Sequence, residues 1–172
     1  RRKLDALIRI LQMDPEGATL IFARTRRGCA EMSAALQQRG IAADAIHGDP
    51  NQDARERVIH RLRARTLSVL VATDVAARGL DVAHLSRVIN VDFPGGSETY
   101  VHRIGRTSRA GAKGTAITMV TPAEKRKLHY LQMDIRHDIQ QMFPPSAKQL
   151  ALAQQEVLWQ KLESVREETD LT

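Results

Sequence analysis

The chain has 172 residues, enough for one α/β domain with a buried core. Lysine and arginine number 26 against 20 aspartate and glutamate, and this net charge of +6 favours a polyanionic partner. One cysteine, Cys29, excludes an internal disulfide framework, and its apolar neighbours predict a buried thiol rather than a nucleophile. Without a long apolar run or a recognisable signal peptide, we expect a soluble, cytoplasmic protein with no membrane partner.

Short apolar runs alternate with helical periodicity along the chain. The predicted strands are 19–23, 41–46, 67–72, 87–91 and 115–120. They are apolar on both faces, as in a parallel sheet covered by helices on each side. Apolar stripes of the intervening helices are formed by Cys29, Met32 and Leu36, and by Val58, Ile59 and Leu62. The pattern predicts a doubly wound α/β sheet whose ligands bind at the carboxyl ends of the strands.

Further helical segments flank this alternation. Residues 3–12 predict a leading helix, which Asp14-Pro15 ends before the first strand. After the last strand, an apolar stripe from Leu128 to Met142 predicts another helix that stops at Phe143-Pro144-Pro145. Residues 146–172 are again helical in pattern. We therefore predict a domain over 1–145 and a helical extension over 146–172, which packs back on the domain, leads to a further module or forms a homodimer.

Basic and hydroxyl residues follow the first two predicted strands. Arg24, Thr25, Arg26 and Arg27 come directly after the first strand. A turn rich in helix breakers, from His47 to Asp53, follows the second strand and leads into a helix around 54–64, where Gln52 and Arg55 share the first turn. A helix amino terminus with an arginine beside it can hold a backbone phosphate. Asp49 and Asp53 are equally suited to cap this helix.

The loop after the third strand runs from Ala72 to Asp81 and carries a hydroxyl, two carboxylates, an arginine and a glycine. Thr73 and Arg78 suit phosphates, and Gly79 allows close backbone approach. Asp81 can accept hydrogen bonds from ribose hydroxyls. Thr73 and Asp74 can also cap a helical turn over 75–78, a role that is compatible with binding.

Residues 102–109, His-Arg-Ile-Gly-Arg-Thr-Ser-Arg, place Arg103, Arg106 and Arg109 at intervals of three beside His102. A guanidinium is permanently charged and presents a fixed fork of donors, so it suits a phosphate whose charge shifts during transfer. The spacing predicts an arginine-finger site for a nucleoside triphosphate. Its alternative is a basic helix end in water.

These segments together resemble the carboxy-terminal RecA-like domain of DEAD-box RNA helicases, over about residues 1–145. Residues 20–26 resemble the family's motif IV, 47–55 motif IVa, 72–81 motif V and 100–111 motif VI. His102 favours the RNA-acting branch, because related DNA helicases commonly have glutamine there. Ser108 departs from the family, which usually has glycine at this position.

The resemblance implies a role for each matching residue. Arg106 and Arg109 would be catalytic arginine fingers that reach the γ-phosphate of ATP, and Gly79 and Asp81 would meet its ribose side. His102 and Arg103 would couple the nucleotide to interdomain contacts. The residues implied to hold the single-stranded RNA backbone are Thr25, Gln52, Arg55, Thr73 and Arg78.

Two motifs of a complete motor are absent from the sequence. It contains no Gly-x-x-x-x-Gly-Lys-Ser/Thr loop and no Asp-Glu-Ala-Asp tetrapeptide. The resemblance therefore implies half of an ATP-dependent RNA helicase that is inactive alone, with ATP and Mg²⁺ held mainly by an amino-terminal RecA-like domain of the full-length chain. Single-stranded and duplex RNA would be its substrates, and we expect no metal site within this chain. A DNA-directed helicase domain and a noncatalytic RNA-binding module are the alternatives.

Overall fold

A computed structural model describes residues 2–15, 17–48, 51–80, 82, 85–107 and 113–170. The helices are α1 Arg2–Met13, α2 Arg26–Gln37, α3 Gln52–Arg63, α4 Asp74–Ala77, α5 Ser97–Ile104, α6 Lys125–Ile135 and α7 Ala147–Asp170. The strands are β1 Ala18–Phe22, β2 Ala43–Ile46, β3 Val69–Ala72, β4 Leu85–Asn90 and β5 Thr115–Thr118. A short 3-10 helix, Pro122–Glu124, precedes α6.

The five strands form one parallel sheet in the order β2-β3-β1-β4-β5. From β1 the chain moves to one side of the sheet to form β2 and β3, and it then crosses to the other side to form β4 and β5. The carboxyl ends of β1 and β4 therefore adjoin where the winding changes direction, the usual place for a ligand crevice in such sheets. The predicted α/β fold with a parallel sheet is confirmed.

The core of the sheet follows from the apolar runs. Every residue of β1 and β3 is buried, as expected for central strands covered on both faces. Leu20, Phe22, Leu70 and Val88 belong to one apolar cluster of this core. The prediction of two covered faces is wrong for β5, whose first two residues are exposed and last two half-buried, because β5 is an edge strand.

Helix α6 ends earlier than its apolar stripe predicts. The stripe continues to Met142, but the helix stops at Ile135, and Arg136 has a left-handed backbone with φ 53°. The Gln132 carbonyl accepts from His137 N–H at 3.2 Å, and the Gln132 side chain accepts from Ile139 N–H at 2.8 Å. Ile139 still packs against the cluster of Phe93, Tyr100 and Leu131. The apolar stripe therefore predicted correctly that Ile139 is partly buried, but wrongly that it is helical.

The chain divides into two compact units, residues 16–140 and residues 1–15 together with 141–172. In the second unit, α1 buries Leu7, Ile8 and Leu11, and Arg9 Nη1 donates to the Pro145 carbonyl at 3.4 Å. Independent folding of residues 1–145 stays a prediction. Among the described residues, no helix combines the length and hydrophobicity needed to cross a membrane.

Candidate functional site

Arg103, at the end of α5, makes the densest set of polar contacts at the carboxyl edge of the sheet. Its Nε and Nη2 donate to the two carboxylate oxygens of Asp74 at 2.6 and 2.8 Å, and Nη1 donates to Asn90 Oδ1 at 3.1 Å and the Asp92 carbonyl at 2.9 Å. The guanidinium also lies 4.9 Å from the centre of the Phe22 ring. Arg103 is only 4% exposed, so its charge is balanced within the fold.

The segment from Thr73 to Leu80 follows β3 and begins as the single turn of α4. Thr73 caps this turn by accepting from the Ala76 N–H at 3.3 Å. Gly79 has φ +70°, and a Cβ there would meet no atom within 4 Å. The glycine is therefore required by the backbone conformation rather than by a close neighbour.

Two arginines from other parts of the chain hold this segment. Arg55, in the first turn of α3, donates to the carbonyls of Ala76 and Arg78 at 2.8 and 2.6 Å. Arg106 Nη1 donates to the Leu80 carbonyl at 3.3 Å. The carbonyls at the end of a short helix have no helical partners, so both guanidiniums satisfy groups that water would otherwise bind.

A cleft of about 100 Å³ opens beside these contacts. Its lining residues are Phe22, Asp74, Ala77, Arg78, Thr99, His102, Arg103 and Arg106. The Arg103 charge is paired with Asp74, whereas Arg78 and His102 are exposed and Arg106 is half-buried. The cleft thus presents cationic and imidazole groups to solvent, a surface suited to a phosphate-bearing ligand.

The loop after β1 is fastened to the end of β4. The Arg24 N–H donates to Asp92 Oδ2 at 2.7 Å. Thr25 caps α2 by accepting from the Gly28 N–H at 3.0 Å, and its side chain is exposed. Asp92 therefore contacts both the β1 loop and Arg103, which joins the loops of adjacent strands into one rim.

The Cys29 thiol lies behind this rim, fully buried in α2. Burial, with a smaller contribution from the Asp92 carboxylate, raises its pKa to about 11. The predicted buried cysteine is confirmed. Burial likewise raises the pKa of the Tyr100 hydroxyl. Within the described residues, no group of three or more histidine, cysteine, aspartate or glutamate side chains could hold a metal ion.

A family model described as "Helicase conserved C-terminal domain" matches residues 2–111. The chain belongs to this family. As a helicase C-terminal domain, it is 41% identical over its whole length to the DEAD-box ATP-dependent RNA helicase CshA of Geobacillus kaustophilus. It spans only 37% of the length of that relative.

Solved DEAD-box proteins share the architecture of this helicase C-terminal domain. Escherichia coli SrmB, in a complex with the regulator of ribonuclease activity A, superposes with a TM-score of 0.76 at 36% identity, covering 84% of this chain and 90% of that chain. Saccharomyces cerevisiae Dbp5 bound to RNA and ADP BeF3 superposes with a TM-score of 0.70 at 33% identity, covering 76% of this chain and 35% of that chain. The resemblance to C-terminal RecA-like domains of DEAD-box helicases is thereby confirmed.

The structure brings several predicted site residues of the helicase C-terminal domain together around the cleft. Arg78, His102, Arg103 and Arg106 line it directly. Thr73 lies at the start of the same segment. Asp81, Ser108 and Arg109 lie outside the described residues, so the predictions for them rest on sequence alone.

The predicted RNA-binding residues differ in what they contact. Arg55 is turned toward the carbonyls of the β3 loop. Gln52 instead donates from Nε2 to Glu56 on the exposed side of α3, at 3.0 Å. The α3 cap is Asn51, which accepts from the Asp53 N–H at 2.7 Å, rather than Asp53. Their roles toward RNA stay predictions.

Sequence reasoning missed three of the groups that surround Arg103. Phe22, Asn90 and Asp92 come from the ends of two strands that are far apart in sequence. The available signal was polarity: Asn90 interrupts an apolar strand, and Asp92 follows the strand directly. A polar residue inside a buried strand predicts a buried partner, although the sequence does not say which one.

Proposed function

We propose that this chain is the second motor domain of an ATP-dependent DEAD-box RNA helicase. The family membership supports the class of enzyme. The observation that supports the assignment most directly is that the arginines of the cleft differ in whether their charge is already paired. The Arg103 guanidinium is paired with Asp74 inside the fold, whereas Arg78 and Arg106 line an open cleft without such a carboxylate partner among the described contacts. Arg78 and Arg106 are thereby left available for a phosphate-bearing ligand.

Arg106 is proposed to act as an arginine finger together with Arg109. Its guanidinium makes one described hydrogen bond, to the Leu80 carbonyl, which fixes it at the cleft and leaves other N–H donors for a γ-phosphate. Gly79 and Asp81 are proposed to meet the ribose side of the nucleotide. The bound nucleotide in the Dbp5 relative is consistent with such a site in the family.

His102 and Arg103 are proposed to couple the nucleotide to the neighbouring domain. His102 is exposed on the cleft wall, one residue before the buried Arg103. A contact that displaces His102 would therefore act on the helix whose end is fixed to Asp74. Neither residue needs to take part in the chemistry for this role.

Thr25, Thr73, Arg78, Gln52 and Arg55 are proposed to hold the backbone of single-stranded RNA. The hydroxyls of Thr25 and Thr73 each accept a backbone hydrogen bond as helix caps, so their own O–H groups remain available to donate to a phosphate. Arg78 adds an exposed positive charge. Contacts to phosphate and ribose bind RNA without reading its sequence.

Hydrolysis and unwinding are proposed to require an amino-terminal RecA-like domain that holds ATP with Mg²⁺. The sequence here contains neither a phosphate-binding loop nor an Asp-Glu-Ala-Asp motif. ATP and RNA would bind across the cleft between two domains and favour the closed arrangement, which completes the catalytic site. The chain alone is expected to bind RNA weakly and to hydrolyse no ATP.

The test is RNA-stimulated ATP hydrolysis by this chain joined to an amino-terminal RecA-like domain. Arg106→Ala and Arg109→Ala should each lower turnover by roughly 10³ with RNA binding retained. Arg57→Ala, which removes an exposed arginine of α3, is the matched control and should leave turnover unchanged. Normal turnover with lost RNA binding would instead favour a passive RNA-binding module, and stimulation by DNA alone would favour a DNA-directed helicase.

A further inference from the structure

The solvent-exposed side of α6 carries cationic and aromatic side chains: Lys125, Arg126, Lys127, His129 and Tyr130, here called the α6 patch. Arg126 lies 5.7 Å from the centre of the Tyr130 ring, and its Nε and Nη2 donate to the Tyr130 hydroxyl at 3.4 and 3.2 Å. The His129 ring lies 6.0 Å from Tyr130, tilted by 55°. These contacts hold the tyrosine ring in place while leaving it accessible.

Tyr130 differs from the other aromatic rings of its unit. Among the described residues of 17–140, the phenylalanine and tyrosine rings are Phe22, Phe93, Tyr100 and Tyr130. The first three are at most 7% exposed, whereas Tyr130 is 52% exposed. Tyr130 is therefore the one phenylalanine or tyrosine ring among these described residues that a ligand can reach from solvent.

The patch lies near the edge of the sheet that carries the predicted RNA contacts. Since α6 follows β5 after a single 3-10 turn, it begins at the carboxyl edge. Strand β5 is two places from β1 and three from β3 in the sheet, separations of roughly 10 and 15 Å at ordinary strand spacing. The opposite face of α6, through Leu131, packs against Tyr100 of α5. The patch therefore stands on a helix packed directly against α5.

The charge of the patch is positive, because three cations outnumber the exposed carboxylate of Asp134, which lies one turn after Tyr130. Lys125, Arg126 and Lys127 are consecutive and exposed at the start of α6. The neighbouring carboxylate of Glu124 is occupied by the backbone N–H and hydroxyl of Thr121, at 2.9 and 2.8 Å. Other proteins bind single-stranded nucleic acid with the same combination, in which an accessible aromatic ring stacks on a base and cations contact the backbone.

We propose that the α6 patch is a base-stacking site for single-stranded RNA that leaves the contacts at the loops after β1 and β3. A base would stack on the open face of Tyr130, and the cations would neutralise its flanking phosphates. This inference rests on the proposed function, because it extends the same RNA path. If the Arg126–Tyr130 pair only stabilises the helix surface, replacing Tyr130 will not change RNA affinity. The same result is expected if the patch binds an acidic protein instead of RNA.

The affinity test uses the 172-residue chain and a fluorescent 12-nucleotide oligouridylate at low salt. Tyr130→Ala should weaken binding by about tenfold, the loss expected for one stacked base. Tyr130→Phe, which keeps the ring, should bind within about twofold of the unaltered chain. Met133→Ala is the matched control, because Met133 is 61% exposed on the same helix and has no ring. Equal affinity of the alanine and phenylalanine variants would overturn the proposal.

Photocrosslinking with 4-thiouridine in the same oligonucleotide locates the contact directly. Trypsin should release Tyr130 in the peptide 128–136 and Thr73 in the peptide 66–78. Crosslinks to both peptides, with the 128–136 crosslink lost in Tyr130→Ala, are expected. Crosslinks to 66–78 without any to 128–136 would overturn the stacking site alone. The absence of RNA binding and of every crosslink would overturn the proposed function as well.

Discussion

The Arg103 guanidinium and the Asp74 carboxylate form a bidentate ion pair, with N–O distances of 2.6 and 2.8 Å, between the end of α5 and the start of α4. The two side chains differ in exposure, since Arg103 is 4% and Asp74 44% exposed. Asp74 thus neutralises a charge that water cannot reach. The pair fixes the two helices that carry most of the cleft residues.

Replacement of Asp74 by alanine should destabilise the domain by about 2 kcal/mol, because the buried Arg103 charge would lose its carboxylate. This is below the loss for a fully buried pair, since water can enter the exposed Asp74 position. Asp44→Ala is the control: Asp44 pairs with Arg61 at 2.7 Å on the surface, and its loss should cost under about 1 kcal/mol. Urea unfolding measures both variants, and equal losses would contradict the assigned role of Arg103.

The contrast between Arg103 and Arg106 also marks the limit of what the sequence predicts. Their identical residue type and spacing of three give no sign that Arg103 is buried and Arg106 half-buried. The difference arises from Asn90, Asp92 and Phe22, which strands β1 and β4 bring to Arg103. Long-range packing of this kind cannot be deduced from periodicity within one segment.

The fold itself was largely predictable, for a physical reason. Central parallel strands are buried on both faces, so β1 and β3 appear as uninterrupted apolar runs. The errors occur where a residue is buried without belonging to a helix or strand, or belongs to a strand without being buried. Ile139 is packed in the core without being helical, and β5 pairs with the sheet while remaining exposed.

Arg55 should control the order of the β3 loop. Its hydrogen bonds to the Ala76 and Arg78 carbonyls need a planar fork, which lysine lacks. Both Arg55→Lys and Arg55→Ala are expected to speed amide exchange over residues 76–80 and to weaken RNA binding. Hydrogen–deuterium exchange by mass spectrometry measures the first effect.

Arg57→Ala is the matched control for Arg55, since Arg57 is exposed on the same helix, two residues on. It should leave exchange over 76–80 unchanged. If Arg55→Ala weakens RNA binding without changing exchange, Arg55 contacts RNA directly and has no part in holding the loop.

Gly79→Ala should destabilise the domain by about 1 kcal/mol through backbone strain, because φ is +70° there. No steric term adds to this cost, since a Cβ at Gly79 would meet no atom within 4 Å. Gly95→Ala is the control, with equal space for a Cβ and no left-handed backbone; its effect should be near zero. Thermal unfolding compares the two. A loss of nucleotide binding by Gly79→Ala beyond its loss of stability would support close approach of the ligand to this glycine.

Cys29 should be unreactive in the folded chain and should make stability depend on pH in the alkaline range. Its thiol is buried, and its pKa of about 11 keeps it protonated where an exposed thiol near 9 ionises. Ellman's reagent at pH 8 should therefore react at least about 100-fold more slowly with the native chain than with the chain in urea.

The sign of the pH effect follows from proton binding. Between about pH 9 and 11 the unfolded chain releases the Cys29 proton while the folded chain retains it, so the free energy of unfolding falls as pH rises. The decline should reach at most about 2.7 kcal/mol. Cys29→Ala should be less stable at neutral pH, because it leaves a small cavity, but should lose less stability across that interval. Parallel pH profiles of the two chains would contradict a raised thiol pKa, whereas convergence of their unfolding free energies toward pH 11 is the expected result.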